Sequence, residues 1–373
     1  MILPGAVTMT DGRGKDDAVC ERRKTVTTLD SEPMLYAPKT FSKCFPSRMA
    51  IAFALVGVTW SGVVHAQSRP QALDYLHQIG GNKTLAGQHN REPNAEPDKW
   101  TKWISTTVGK TPAMWSGDFL FGPKDIANRR AMMEEARRQW EKGAVVSLLW
   151  HACSPASAEP CKWKGGVQAK LSDEQWEDLF DETSEIHKTF KKRLDDLAEH
   201  LRYLKGHDVE VLFRPFHEMN QGAFWWGGRK GPDGTAKLYR MTHHYMTETK
   251  GLDNLIWVYD LQDFRTLPSD LNDYDPGEQY WDVLALDVYR TNGVGYSTKK
   301  YEAVVQKAGA KPIAIGECDI LPTPEELAAQ PRWTFFMGWA ERVREKNAES
   351  AIRAVYESDR VLTLDEMPGW MQK

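Results

Sequence analysis

Residues 209–228 read VEVLFRPFHEMNQGAFWWGG, and this stretch decides how the rest of the chain is understood. Its first half, Val-Glu-Val-Leu-Phe, has the β-branched and aromatic content of a buried strand. That strand must stop where Arg214, His217, Glu218 and Asn220 crowd together. In parallel α/β folds the residues just past the carboxyl ends of strands line the working face. A carboxylic acid set there among a histidine, an arginine and paired tryptophans suits catalysis better than packing, which makes Glu218 the leading candidate.

Working outward, seven further runs have the same strand character: 84–88, 112–115, 144–150, 255–259, 283–286, 312–315 and 333–338. Most are continuous apolar runs rather than alternating ones, the pattern of strands covered on both faces. Helical segments lie between them. The clearest starts at Ser172 with Gln175 three residues on, a capping box. It carries Trp176, Leu179, Phe180, Ile186, Phe190, Leu194, Leu197, Leu201 and Leu204 on one stripe up to Gly206. Another runs from Thr235 to Gly251 with Leu238, Met241 and Tyr245 facing inward. Strand and helix alternating eight times predict a single (β/α)8 TIM barrel, with no linker or composition shift to divide it.

Each predicted strand ends in polar or aromatic residues: Gln88-His89-Asn90, Trp115-Ser116-Gly117-Asp118, Trp150-His151, Arg214 to Asn220, Tyr259-Asp260, Asp287-Val288-Tyr289, Gly316-Glu317 and Trp339. One such cluster is ordinary turn chemistry. Eight in succession at carboxyl ends describe the rim of a cleft.

Composition narrows the ligand. A formal charge of -4 over 373 residues gives no basic footprint for nucleic acid. Fifteen tryptophans beside Asp, Glu, His and Asn suit a cleft for sugar rings, whose C–H faces want flat apolar surfaces and whose hydroxyls want polar groups, and they equally suit an aromatic-rich core, which composition alone does not separate. Residues 49–64, MAIAFALVGVTWSGVV, follow Lys39, Lys43 and Arg48 and precede Val64-His65-Ala66. This is the pattern of a secretory signal cut after Ala66, the run being shorter than the roughly 20 residues of a membrane span, with an uncleaved anchor as the alternative. Residues 1–66 are therefore expected to be an upstream extension and leader, and 67–373 the barrel, secreted or periplasmic and free of the membrane once cleaved. Of five cysteines, Cys153, Cys161 and Cys318 remain in the mature part. Export would make Cys153–Cys161 a loop-stapling disulfide and leave Cys318 over.

Glu218 and Glu317 stand at the ends of the fourth and seventh predicted strands, so barrel closure would bring them to opposite sides of one cleft. Two carboxylates about 5–5.5 Å apart across a glycosidic bond suit hydrolysis with retention, one attacking the anomeric carbon and one protonating the leaving oxygen. The acid must stay protonated near neutral pH, and Glu218, beside Phe216 and the tryptophans, suits that role. Glu317, within reach of a hydrogen bond from Tyr289, suits the nucleophile.

The stretch Arg-Pro-Phe-His-Glu-Met-Asn followed by Phe-Trp-Trp-Gly (214–227), with Gly-Glu at 316–317, resembles glycoside hydrolase family 26, best known for endo-β-1,4-mannanases. Leu85 to His89, Trp115 to Asp118, Trp150-His151, Asp287 to Tyr289 and the ending 361–368 match it in the same order. The resemblance implies a (β/α)8 barrel and a retaining double displacement on β-mannan, with no metal or cofactor. It places Glu218 as acid/base and Glu317 as nucleophile. Around the sugar it implies His151, Trp163, Arg214, His217, Trp226, Asp287, Tyr289 and Trp339. The family pattern His-Glu-x-x-Gly-x-Trp-x-Trp-Trp-Gly is broken here at Gln221 and Ala223, which removes an indole beside the acid/base and puts the leaving-group subsite in question.

Competing chemistries fit less well. His217-Glu218 opens a zinc-protease pattern whose last histidine is replaced by Gln221. His89, His151 and His217 could share a metal but bring no cysteine or carboxylate at fixed spacing. Ser116 has no nucleophile elbow. A polysaccharide-binding barrel without turnover would have no need of both glutamates, and a β-1,3-xylanase, a mixed-linkage glucanase or an exo-acting mannobiohydrolase stays an alternative within the same family.

Overall fold

The computed structural model describes residues 70–91, 94–289 and 295–370. The leader expected at 1–66 lies outside the described residues. Eight parallel strands close on themselves: β1 (Thr84–His89), β2 (Met114–Phe119), β3 (Val145–Trp150), β4 (Val211–Arg214), β5 (Leu255–Gln262), β6 (Val283–Val288), β7 (Ile313–Cys318) and β8 (Trp333–Gly338). Each pairs with its sequence neighbours, and β1 pairs with both β2 and β8 to complete the barrel. Every residue of all eight is buried, which is why their sequences run apolar without alternation. A two-residue β9 (Val361–Leu362) joins the lower end of β1, at Thr84 and Leu85; it was not foreseen.

Helices follow the strands and cover the outside of the sheet. Alternate side chains within a strand divide between the two faces. Trp150 turns outward to stack on Phe190 of the helix Glu185–Lys205, and Tyr259 turns outward with its hydroxyl toward the Asp270 and Leu271 carbonyls. Burying an aromatic of this size is worth about 1.5–3 kcal/mol. His151, the next residue after Trp150, is left at the barrel mouth.

The long helix expected from Ser172 to Gly206 is two helices, Asp173–Asp178 and Glu185–Lys205. The capping box at Ser172 forms as expected. A second start intervenes, because the Ser184 hydroxyl accepts from the His187 N–H and Asp181 ties down Thr183. The apolar stripe runs through both pieces, since each packs on the same barrel. From Thr235 the helix runs to His244 and then widens into a π-helical turn, Tyr245–Thr249.

Cys153 and Cys161 are joined. The disulfide closes the loop after β3 that carries Trp163. Cys318 sits on β7, its thiol toward the Met337 carbonyl. Among the described residues, no helix is long and apolar enough to cross a membrane.

Candidate active site

The site is built on the carboxyl ends of the strands, with Arg214 of β4 at its centre. This guanidinium is 1% exposed. Its Nε donates to Asp260 (2.6 Å), Nη1 to the Gly316 carbonyl (3.1 Å), and Nη2 to both Asp287 oxygens (2.9 and 3.0 Å) and to Glu317 Oε1 (3.2 Å). One cation thus serves three buried carboxylates from β5, β6 and β7. Burial pushes Asp260 and Asp287 upward, against the pull of Arg214, and the acids around Arg214 raise its own proton affinity in spite of burial. A register shift between Leu286 and Asp287 sets Asp287 beside Glu317, the local irregularity by which strands re-aim side chains at a site. Gly316 is required here: a Cβ would come within 2.5 Å of Asp287 Oδ1 and 2.7 Å of Asp260 Oδ2.

Glu317 is held on both oxygens. Arg214 takes Oε1, and the Tyr289 hydroxyl donates to Oε2 at 2.7 Å. Burial and the neighbouring acids keep the Tyr289 proton on its oxygen at any ordinary pH, so it is a permanent donor. Burial raises Glu317 to about 7, while Arg214 and Tyr289 hold it down.

Glu218 has a different setting. It follows β4 in a left-handed backbone conformation, φ 50°, a strain of about 1–3 kcal/mol for a residue with a Cβ. Burial raises its carboxyl to about 8, and the charge of Glu317 adds to the rise. Among the described residues its side chain takes one hydrogen bond, from Gln221 Nε2 to Oε2 at 2.7 Å. Of the two acids, Glu218 is the one that keeps a proton near neutrality.

The carboxylate oxygens of Glu218, Asp287 and Glu317 lie within 4.8 Å of one another. This is the grouping of described residues whose spacing would admit a cation. Arg214 already bonds two of the three, so the group is an acid cluster held by one guanidinium.

On the neighbouring wall, Asp118 of β2 accepts from His151 Nδ1 at 2.6 Å. Burial opposes ionisation of Asp118, but the charge and hydrogen bond of His151, and then those of His89, hold it well below the usual carboxylate range. With Nδ1 so engaged, His151 turns Nε2 to the cleft as its other hydrogen-bonding atom. His89 bonds Ser116, stacks on Trp339 with ring centres 4.2 Å apart, and is pushed by burial down to about 4. His217 is likewise kept neutral by burial, with its ring 4.5 Å from that of His151. These histidines are spent on one another and on Asp118 and Ser116, an arrangement for aiming polar edges.

The open cleft, about 240 Å³, is lined by His151, Trp163, His217, Glu218, Tyr289, Glu317 and Trp339 among the expected residues. A further 270 Å³ adjoins it past Trp163 and Trp339, against Leu120 and Phe121. Trp163 is the exposed large apolar side chain among the described residues, at 38%. A larger hollow, about 490 Å³, lies at the other end of the barrel where β5 begins, remote from both glutamates.

Three expected sugar contacts are placed otherwise. Trp226 is fully buried, its indole N–H on the His217 carbonyl, and stacks behind Phe224 at 4.5 Å; Phe224 is the ring that reaches the cleft. Arg214 and Asp287 lie beneath the floor and act on the site through Glu317. Sequence reading had not picked Arg91, Gln168, Gln221, Phe224, Gln262 or Arg342 as lining residues. Gln262 is the last residue of β5, and the strand-end rule would have found it had that strand been drawn three residues longer.

A family model, glycosyl hydrolase family 26, matches residues 64–366. The chain is 33% identical over 308 residues to a mannan endo-1,4-beta-mannosidase of Thermothelomyces thermophilus, covering 80% of this chain and 61% of that protein. It is 30% identical over 265 residues to a mannan endo-1,4-beta-mannosidase of Bacillus subtilis, covering 66% and 68%. The chain therefore spans less than two thirds of the first of these relatives. Among solved structures, GH26A from Muricauda sp. MAR_2010_75 superposes with a TM-score of 0.74 at 36% identity, over 81% of this chain and 96% of that one. A beta-mannanase from a symbiotic protist of the termite Reticulitermes speratus, solved with a gluco-manno-oligosaccharide, gives a TM-score of 0.71 at 25% identity, over 81% and 95%. The chain belongs to glycosyl hydrolase family 26.

Proposed function

We propose, with that family as the premise, that the chain hydrolyses internal β-1,4-mannosidic bonds of mannan-type polysaccharides by a retaining double displacement. The observation that carries the mechanism is the spacing of the two glutamates. Their oxygens approach within 4.8 Å, close to the separation of about 5–5.5 Å that suits attack by a carboxylate and shorter than the 6.5–9.5 Å that leaves room for a water. The relatives named as mannan endo-1,4-beta-mannosidases support the substrate.

In the first step Glu317 attacks the anomeric carbon as Glu218 gives its proton to the departing glycosidic oxygen. The bond to the leaving sugar breaks and an ester to Glu317 forms. Esterification removes the negative charge on Glu317 that helps hold the Glu218 proton. With that charge gone Glu218 holds its proton less tightly, so it rests as the carboxylate and can take a proton from the incoming water as the base. That water attacks the anomeric carbon, and the ester breaks to return Glu317. Tyr289 and Arg214 hold the carboxylate for attack and receive it again when it leaves. Trp339, Trp163 and Phe224 offer flat faces to the sugar rings, and His151 a polar edge.

Residues 67–373 are proposed as the catalytic domain, released to the outside of the cell by cleavage after Ala66; N-terminal sequencing of the exported protein tests the cut. The activity is tested by proton NMR of mannohexaose digestion with product chromatography on mannan, lichenan and β-1,3-xylan. Mannan oligosaccharides first appearing as the β-anomer are expected. First appearance of the α-anomer would overturn the double displacement, and release from lichenan or β-1,3-xylan alone would overturn the substrate.

A further inference from the structure

Gln221 stands three residues after Glu218 in the turn that leaves β4, and its side chain reaches back to the carboxyl it follows. The turn is fixed by the main chain. The Gln221 N–H donates to the Glu218 carbonyl at 2.8 Å and the Gly228 N–H to the Met219 carbonyl at 2.9 Å. With the backbone so held, Gln221 Nε2 meets Glu218 Oε2 at 2.7 Å on the wall of the cleft. This is the side-chain hydrogen bond Glu218 receives, whereas Glu317 receives two.

We propose that Gln221 is a positioning residue for Glu218, its amide fixing the carboxyl so that Oε2 is engaged as an acceptor and Oε1 is left to carry the proton to and from the glycosidic oxygen. The proposal rests on the reading of Glu218 as the acid/base. An oxygen already accepting an N–H is a poor place for a proton, so the clamp selects which oxygen is the acid as well as where it points. An N–H donor also stabilises the ionised form, which eases proton release from a carboxyl that burial otherwise holds back. The other titratable and charged groups around Glu218 among the described residues are Arg214 and His217 beside it, His151 after β3, Asp260 on β5, Asp287 and Tyr289 at the end of β6, Glu317 on β7, and Arg91 and Arg342 on the cleft wall. A change at Gln221 leaves all of them in place.

The test uses the full chain with Gln221→Met, which keeps the length of the side chain and removes its donor, and Gln221→Ala, which removes both. In each, the alkaline limb of kcat/KM on mannotetraose is expected to move up by about one pH unit, the effect of losing one hydrogen bond to a charged group. At the optimum, kcat on mannotetraose is expected to fall about tenfold, and the glycosylation rate with a 2,4-dinitrophenyl mannobioside, whose leaving group needs no proton, to change little. An alkaline limb that stays in place in both variants would overturn the assignment, whatever happens to kcat. The Glu218→Ala variant with sodium azide keeps the two readings apart. If azide restores turnover and yields a β-glycosyl azide while the Gln221 limb does not move, only the Gln221 proposal falls. If azide restores nothing, the acid/base reading falls and this proposal with it.

Discussion

The ends of β4 and β7 present the same residue type in opposite circumstances. Glu317 continues its strand and rests between a guanidinium and a phenol. Glu218 follows its strand in a left-handed turn, bonded by one amide, in a cleft it shares with Trp163, Phe224 and Trp339. Both are buried and pushed upward, and the charge of Arg214 pulls both back, but only Glu317 has the guanidinium bonded to it. The number of donors, rather than depth, separates the acid from the nucleophile, because depth is shared.

The broadest way to break that contrast is to remove each acid in turn. Glu317→Ala is expected to lose about 10⁴-fold or more of kcat on every substrate, since no covalent path remains. Glu218→Ala is expected to lose about 10²–10⁴-fold on mannotetraose and much less in the glycosylation step with a 2,4-dinitrophenyl leaving group. Equal losses in that step would show that the two positions do not have separate roles. A narrower cut is Tyr289→Phe, which takes one donor from Glu317. Its folded proton affinity then rises, so the ionised nucleophile exists only at higher pH. The acidic limb of kcat/KM should move up by about one unit, with kcat down about 10-fold; an unmoved acidic limb in stopped assays from pH 4 to 8 would sink the pairing.

The smallest effect is on stability. Glu218 is raised from an ordinary carboxyl to about 8, so its folded form favours the proton. Its contribution to stability is present below about pH 4.5 and is lost as pH rises through 8. Glu218→Gln, neutral throughout, should therefore melt about 2–4 °C higher than the parent at pH 8 and close to it at pH 4.5. Calorimetry showing the reverse order would mean that Glu218 is held ionised in the fold.

The strands were legible because full burial on both faces writes continuous apolar runs, and the rim was legible because polar residues recur at each run's end. β8 falls at 333–338 as read, whereas β4 starts two residues later than expected and β5 ends three residues further on. Edges drift because strand ends are set by pairing partners, which a single run of sequence does not carry. The break at residues 179–184 was hidden by a stripe that continues across it, although Asp181, Thr183 and Ser184 spell a turn and a fresh cap. Which aromatic of Phe224-Trp225-Trp226 lines the cleft was not readable, since the loop has no fixed period. The partners of Glu317 were readable in part: Tyr289 was expected on it, whereas Arg214 was expected on the sugar and lies underneath.

Gathering Asp260, Asp287 and Glu317 around a lone guanidinium leaves the floor of the cleft short of positive charge. Whatever brings a cation of the right shape, whether an oxocarbenium-like sugar on its way to the ester or an iminosugar protonated at the ring nitrogen, makes good that deficit. A neutral lactam of equal size does not, and tight inhibitors of this enzyme should therefore be sought among bases.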